Sequence, residues 1–264
     1  MSSMTILDEL AAYAASRVNE AKKVKSLDEL AEEAYSLPRG EFRFSEALKR
    51  PGLSFICECK KASPSKGIIA EDFPYLDIAK AYEEAGADAI SVLTEPKWFL
   101  GKDEYLRQIA DTVNTPILRK DFTVDEYMIY EAKLLGASAA LLIVSILTGE
   151  QIAQYLHICD QLGLSALTEC HDEKEIDIAL NSGAGIIGVN NRNLKDFTVD
   201  ISLGEKMRKL IPDNVAYVSE SGVKDASDVR RLRDIGVDAV LIGETLMREE
   251  DKKAMLNRLK GVDA

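Results

Sequence analysis

Charged side chains recur at the ends of short apolar, β-rich runs along the 264-residue sequence. Glu58 and Lys60 end the first run, Lys120 ends the third, and Glu169 ends the fifth. Because charge inside a buried parallel sheet is costly, charge at the strand ends indicates chemistry rather than packing. Ammonium groups beside carboxylates are the set that general acid–base catalysis uses.

Two further runs end in polar groups. Asn190 ends the sixth, with Arg192 just beyond it, and Glu220 ends the seventh. A structural ion-pair network would explain one or two such residues, but five runs that all end in this way favour an active site.

The first run also predicts which way its side chains point. A strand's two-residue period puts Glu58 and Lys60 on one face and Cys57 and Cys59 on the other. If the cysteines pack under helices, the charged pair points inward.

These polar ends follow eight runs that alternate with segments of helical period, as βα units around a parallel sheet do. Eight strands predict an α/β protein of the (β/α)₈ (TIM) barrel class, whose active sites lie at the carboxyl ends of the strands. An open doubly wound sheet is the alternative, but its glycine-rich fingerprint is absent after the first run. The predicted strands are Ser54 to Lys60, Ala89 to Thr94, Pro116 to Lys120, Ala139 to Val144, Ser165 to Glu169, Ile186 to Asn190, Ala216 to Glu220 and Ala239 to Ile242.

Four similar joints support the barrel. AGADAI, LGASAA, SGAGII and IGVDAV each carry a glycine suited to end a helix before a returning strand: Gly86, Gly136, Gly183 and Gly236. They recur about every 50 residues, which spans two βα units, so the pattern is a fourfold repeat of a double unit.

Residues 1–50 do not follow this rhythm. They contain helical patterns, with Ser26 and Glu29 spaced as a capping box. We expect one domain over 1–264, made of an N-terminal helical extension (1–50) and the barrel (51–264). The extension could plug the bottom of the barrel or cover its active face.

The turns after the seventh and eighth strands predict a phosphate site. They hold Ser221 and Gly222, and Gly243 and Glu244, with Glu244-Thr245-Leu246-Met247 able to start a short helix. In barrels these two loops often bind phosphate, because free backbone N–H groups converge there.

Apolar side chains also occur where the mouth would be, at Phe99, Phe122 and Leu194. Such residues are more often ordinary packing than ligand contacts. Phe122, next to the inward Lys120, is the best candidate to stack on a flat ring.

Composition narrows the partners and the compartment. The formal net charge of −12 opposes binding to nucleic acid or an anionic membrane. The amino end lacks the pattern of a signal peptide, so we expect a cytoplasmic protein. The four cysteines lack paired CxxC spacing, which favours reduced core thiols.

From about residue 5 to residue 260 the sequence resembles the indole-3-glycerol-phosphate synthase family. The resemblance rests on Glu58-Cys-Lys60-Lys-Ala-Ser63-Pro64-Ser65, Leu93-Thr-Glu95, Pro116-Ile-Leu-Arg-Lys120-Asp121-Phe122, Glu169, Gly188-Val-Asn190-Asn-Arg192, Ser219-Glu220-Ser-Gly222 and Ile242-Gly243-Glu244. Departures are mild, since Lys61 and Arg119 stand at variable positions and Glu244 stands where some relatives have a small hydroxyl residue.

The resemblance implies a barrel whose extension covers the active face. It implies ring closure of 1-(2-carboxyphenylamino)-1-deoxyribulose 5-phosphate to an indole, with loss of carbon dioxide and water, in tryptophan biosynthesis. Lys120 matches the family's general acid and Glu169 its general base, with Lys60, Glu58, Glu220 and Asn190 completing the catalytic set. Substrate contacts would come from Ser63, Phe99, Phe122, Arg192, Leu194, Ser221, Gly222, Gly243 and Glu244.

Nothing in this scheme requires a metal, an organic cofactor or an obligatory protein partner; the expected partner is a phosphorylated small molecule. Two rivals remain. A sibling phosphate-binding barrel, such as the preceding isomerase of the pathway, would share the phosphate loops but carry another acid–base pair. A non-catalytic barrel would need no complete set of site residues.

Overall fold

A computed structural model describes residues 5–193 and 197–261 of the chain. Eight parallel strands close into a barrel in which the first strand pairs with both the second and the eighth, through Ile56 with Ala89 and Ser54 with Ala239. The closure confirms the (β/α)₈ prediction and excludes the open sheet. The strands are β1 (Ser54–Cys59), β2 (Ala89–Leu93), β3 (Ile117–Lys120), β4 (Ala139–Ile143), β5 (Ser165–Cys170), β6 (Ile186–Asn190), β7 (Ala216–Glu220) and β8 (Ala239–Ile242).

The predicted bounds differ from these at a few ends. Lys60 and Thr94 lie just past their strands, and β5 extends one residue further, to Cys170. Pro116 has no N–H to donate, and β3 begins after it. Val144 opens a 3₁₀ turn (Val144–Ile146) instead of continuing β4.

Helices surround the barrel and precede it. The α-helices are α1 (Ile6–Val24), α2 (Leu27–Ser36), α3 (Arg43–Leu48), α4 (Tyr75–Glu84), α5 (Asp103–Thr112), α6 (Tyr127–Leu134), α7 (Gly149–Leu162), α8 (Glu173–Asn181), α9 (Ser202–Arg208), α10 (Ala226–Asp234), α11 (Glu244–Arg248) and α12 (Lys252–Lys260). Within the described residues, no helix is long and apolar enough to cross a bilayer.

The repeated joints have the predicted backbone. Gly86, Gly136, Gly183 and Gly236 all have positive φ, which glycine adopts without the steric cost a Cβ would bring. At the first joint the N–H of Ala87 donates to the carbonyl of Tyr82 at 2.9 Å, a bond that closes the helix end. The same turn therefore returns the chain to a strand four times.

The barrel interior is a layer of apolar side chains below the mouth. Ile56, Leu118, Leu167, Val218 and Leu241 belong to one buried cluster contributed by five different strands. Because side chains alternate along a strand, the residue two positions further on also points inward, but closer to the carboxyl end. That alternation sets up the mouth of the barrel.

The first 50 residues reach both ends of the barrel. At the amino end, fully buried Phe44 of α3 packs into the interior cluster, and the Ser45 N–H donates to Ser165 Oγ at 3.1 Å. At the carboxyl end, Arg17 of α1 forms a two-pronged ion pair with Asp121, just after β3. The extension thus includes a plug at the bottom and a contact beside the mouth.

All four cysteines are buried and free. Cys57 and Cys59 lie in the core between the strands and the outer helices. Burial raises the pKa of both thiols, which opposes thiolate chemistry. The predicted outward direction of these two side chains is confirmed.

Candidate active site

Strand alternation brings the predicted catalytic side chains to one mouth. Glu58, Lys120, Glu169 and Glu220 each stand two residues beyond an interior apolar residue, and all four are at least largely buried. Asn190 of β6 also belongs to the group, since its side chain contacts Glu169. Five different strands therefore supply the polar groups of the mouth.

Lys120 forms the centre of this arrangement. Its Nζ lies 2.7 Å from Glu169 Oε2 and 2.9 Å from Glu220 Oε2, and its side chain is only 12 % exposed. Asn190 Nδ2 donates to the other oxygen, Glu169 Oε1, at 3.1 Å. An ammonium ion thus lies between two buried carboxylates, where its charge is satisfied only while both stay in place.

The three charges shift one another's pKa values. Burial lowers the pKa of Lys120, but Glu169, Glu220 and Glu58 raise it by more, so it is held protonated. Burial raises the pKa of Glu169, but Lys120 and His171 lower it by more, so this carboxylate is ionised. Burial and the neighbouring Glu169 raise the pKa of Glu220 to about 7.

The second oxygen of Glu220 lies against β6. Glu220 Oε1 is buried and has no hydrogen-bond partner among the residues that the structure describes. It occupies the space where Gly188 would carry a Cβ. A glycine on β6 is therefore required for this carboxylate to lie in the mouth.

The second lysine lies on the neighbouring side of the mouth. Lys60 Nζ forms an ion pair with Glu58 Oε1. A Cβ at Gly243, after β8, would collide with both groups. The lysine–carboxylate pair from β1 is thus next to the loop in which phosphate binding is predicted.

The two predicted phosphate loops have unusual backbone conformations. Ser221 (φ +65°) and Gly222 (φ +97°) are consecutive left-handed residues after β7. Gly243 precedes the short helix α11, as expected, and the first N–H groups of a helix lack acceptors within it. Both loops can present backbone donors to an anion.

Of three further predicted binding residues, the structure describes two. Ser63 is buried in an antiparallel ribbon (Ala62–Ser63 with Gly67–Ile68) that the sequence did not predict. Arg192 Nη2 lies 3.9 Å from Glu244 Oε2. Leu194 lies outside the described residues.

The predicted aromatic pair is together at the mouth. The rings of Phe99 and Phe122 lie 6.0 Å apart at their centroids. The buried Glu95 carboxylate fixes the loop that carries Phe99 by accepting from its N–H at 2.9 Å, and from the N–H groups of Lys97 and Trp98. The result is an apolar wall beside Lys120.

One residue at the mouth escaped the sequence analysis, and one charged residue of β3 points away from the mouth. Arg119 points to the helix side of β3, where Asp103 and Glu131 meet it at 2.9 and 3.1 Å. His171 follows β5 and lies 3.3 Å from Glu169. Alternation could have revealed His171, since it stands two residues after an inward glutamate.

The sequence is similar to one family of known enzymes over almost its whole length. The family model described as indole-3-glycerol phosphate synthase matches residues 7–259. The indole-3-glycerol phosphate synthase of Ruminiclostridium cellulolyticum is 53 % identical over 257 residues, 97 % of this chain and 99 % of that protein. That of Lacticaseibacillus casei is 51 % identical over 256 residues, covering 97 % and 98 %.

Solved structures support the fold alone. The 3-hexulose-6-phosphate synthase of Salmonella typhimurium matches with a TM-score of 0.65 at 14 % identity, covering 80 % of this chain and 98 % of that one. The tryptophan synthase complex of Pyrococcus furiosus matches with a TM-score of 0.58 at 15 % identity, covering 80 % and 98 %.

A closed barrel with lysines, carboxylates and an amide around one mouth is typical of a (β/α)₈-barrel enzyme, and these side-chain types suit acid–base chemistry. The family match over nearly the whole chain makes that class specific. The chain belongs to the indole-3-glycerol phosphate synthase family.

Proposed function

We propose that this chain converts 1-(2-carboxyphenylamino)-1-deoxyribulose 5-phosphate into indole-3-glycerol phosphate, carbon dioxide and water, as a carboxy-lyase of tryptophan biosynthesis. The observation that carries the proposal is the ammonium group of Lys120 between the carboxylates of Glu169 and Glu220. Family membership supplies the substrate, and the charges at the mouth suit its chemistry.

Ring closure requires a proton donor at the ketone. The ring carbon that bears the carboxylate attacks the ketone carbon, and Lys120 delivers its proton to the ketone oxygen as the new carbon–carbon bond forms. A buried, protonated lysine is suited to this step, because the developing alkoxide has a higher proton affinity than the amine. Loss of carbon dioxide then restores the aromatic ring.

Dehydration requires an acid and a base. Lys60 protonates the departing hydroxyl group, and Glu169 takes the proton from the neighbouring CH₂ carbon, which creates the indole double bond. Once Lys120 has given up its proton, the neutral amine no longer lowers the pKa of Glu169 by its charge. Glu169 then becomes a better base than it is in the free enzyme.

The remaining carboxylates and the amide position these groups. Glu58 holds Lys60, Asn190 orients Glu169, and Glu220 offers its free Oε1 to the substrate's amine or hydroxyl hydrogens. With a pKa of about 7, Glu220 populates both protonation states near neutral pH, and a carboxyl oxygen can accept a hydrogen bond in either state.

The phosphate would lie on the backbone N–H groups of Gly222, Gly243 and Glu244, with the hydroxyls of Ser63 and Ser221 as further donors. Lys66 and Arg248 lie 3.7 and 3.1 Å from Glu244 Oε1, and Arg192 lies 3.9 Å from Oε2, so three cations border this loop. Their charge offsets that of Glu244, which would otherwise repel the phosphate.

The apolar groups would bind the anthranilate ring. Phe99 and Phe122 form one wall, and Leu194 is proposed to complete it. Residues 1–50 would cover the face from the Arg17–Asp121 contact, and residues 51–264 would form the barrel of the same domain. Covering the mouth would exclude water from the reacting charges.

The proposed enzyme acts in the cytoplasm on this phosphorylated small molecule, without nucleic acid, membrane or an obligatory protein partner. The formal net charge of −12 supports the exclusion of polyanionic partners. Each proton transfer in the scheme is assigned to a side chain of this chain.

The test is a fluorescence assay for indole formation by the purified chain from the named substrate. Steady product formation that scales with enzyme concentration is the expected result. No product over hours at saturating substrate, from a chain with the melting behaviour of a folded protein, would refute the proposed function.

A further inference from the structure

His171 extends the site outward from Glu169. It follows β5 directly and stands on the same face as Glu169, while Cys170 between them is buried in the outer core. The imidazole Nε2 lies 3.3 Å from Glu169 Oε1, the oxygen to which Asn190 also donates. The two atoms are close enough for an ion pair, but they are not aligned for a hydrogen bond.

A second carboxylate holds the other side of the ring. Glu175 Oε2 lies 3.2 Å from His171 Nδ1 and accepts from the His171 backbone N–H at 2.7 Å. Ser145 Oγ fixes Glu175 by donating to Oε1 at 2.5 Å. The imidazole therefore lies between two carboxylates, as Lys120 does on the opposite side of Glu169.

This geometry selects the charged form of the ring. In a neutral imidazole one nitrogen carries a lone pair, which would face a carboxylate oxygen. The doubly protonated ring is positively charged and turns no lone pair toward either carboxylate. Burial lowers the pKa of His171, but Glu169 and Glu175 raise it by more, to about 10.

The other charged groups near His171 contact partners other than the imidazole ring. Lys120 of β3 contacts Glu169 from the far side, and Glu220 of β7 contacts Lys120. Asp172 is committed to the start of α8, where it accepts from the Glu175 N–H at 2.9 Å. Glu169 and Glu175 are therefore the two carboxylates that face the ring.

The proposed reaction requires Glu169 to stay ionised after Lys120 has moved to the substrate, and a second, fixed cation would ensure this. When Lys120 turns to the substrate and gives up its proton, Glu169 loses its closest positive charge. A buried carboxylate without a cation tends to take a proton from solvent and ceases to be a base. His171, which never contacts the ketone in this scheme, can keep Glu169 ionised and oriented at that moment.

We propose that His171, anchored by Glu175 and Ser145, is the positioning residue that keeps Glu169 ionised and aimed while Lys120 serves the substrate. The proposal rests on the proposed function. It assigns no proton transfer with the substrate to His171.

The kinetic test compares His171→Gln with Asp172→Ala. His171→Gln keeps an amide near the position of Nε2 but removes the charge. We expect kcat to fall by about tenfold with KM nearly unchanged, since misplacing a catalytic group costs up to about 10²-fold. The acidic limb of the kcat–pH profile should move up by about one unit, because loss of a nearby cation raises a carboxylate's pKa.

Asp172→Ala is the matched control. It loosens the start of α8 in the same loop without removing a contact of the imidazole. A purely structural role for His171 would make both variants melt earlier and leave both pH profiles in place. An unmoved acidic limb in His171→Gln, with kcat per folded molecule unchanged, overturns the proposal.

Nuclear magnetic resonance separates this inference from the proposed function. The chain has two histidines, so the ¹⁵N-labelled imidazole signals of His171 are assigned by their disappearance in the variant. Both ring nitrogens should stay protonated between pH 6 and 8, even in a chain that fails to form product. Titration of His171 to the neutral ring below pH 8 would contradict the inference, and absence of product alone would contradict only the function.

Discussion

Lys120→Met tests the buried ammonium at the centre of the site. The side chain keeps its length and apolar stem but loses the proton donor. A general acid contributes about 10²- to 10⁴-fold, so kcat should fall by about 10²-fold or more. The measurement is product fluorescence at saturating substrate, with the folded fraction determined on the same sample.

The cost to stability follows from the two carboxylates that Lys120 holds. Removing one partner of a buried ion pair costs about 3–5 kcal/mol. Glu220 can offset part of this, because its pKa is already about 7 and rises further without the ammonium, so it is protonated at neutral pH. Protonation of Glu220 in the folded state favours folding at low pH. The decrease in unfolding free energy caused by Lys120→Met should therefore be about 1 kcal/mol smaller at pH 6 than at pH 8.

Arg119→Met is the matched control on the same strand. Arg119 is 3 % exposed, compared with 12 % for Lys120, and faces Asp103 and Glu131 on the helix side. We expect lower stability in urea unfolding with kcat per folded molecule retained. Near-normal turnover in Lys120→Met, or an equal loss of kcat in both variants, would refute the role of Lys120 as the acid.

Three further changes probe other parts of the site. Gly222→Val should weaken binding of the product by at least tenfold in calorimetry, because φ is +97° and the new side chain would meet Val199 and Ile201; unchanged affinity would put the phosphate elsewhere. Gly188→Ala should lower kcat with less effect on product affinity, because its Cβ displaces the Glu220 carboxylate, and normal kcat would remove Glu220 from the mechanism. The raised pKa of Glu220 makes its contribution to stability full below its ordinary value of 4.5 and lost as pH rises through about 7. Glu220→Gln should therefore flatten the fall in unfolding free energy between pH 4.5 and 8, and an unchanged slope would count against this protonation.

Periodicity explains how much of this site was predictable. Two-residue alternation put Glu58 inward opposite the core cysteines, and the fourfold glycine joint predicted a closed barrel; both are confirmed. These features depend on neighbours close in sequence. The predicted roles of the site residues stay predictions.

Other features depend on contacts between distant elements. Gly188 matters only because β6 lies beside β7 in the register that brings Glu220 against it. Glu175 reaches the backbone N–H of His171 because α8 begins at Glu173, two residues after the histidine. Likewise, the plug formed by Phe44 and the Arg17–Asp121 contact require the packing of the extension on the barrel.

In the proposed mechanism Lys120 drives ring closure and Glu169 completes dehydration. A single turnover of Glu169→Gln with substrate labelled in its carboxylate separates the two, because the amide keeps the shape but cannot accept a proton at neutral pH. We expect labelled carbon dioxide approaching one per site, little indole fluorescence, and product affinity close to that of the unmodified chain. Carbon dioxide and indole formed together at the normal rate, or a loss of both that is matched by unfolding, would contradict this mechanism.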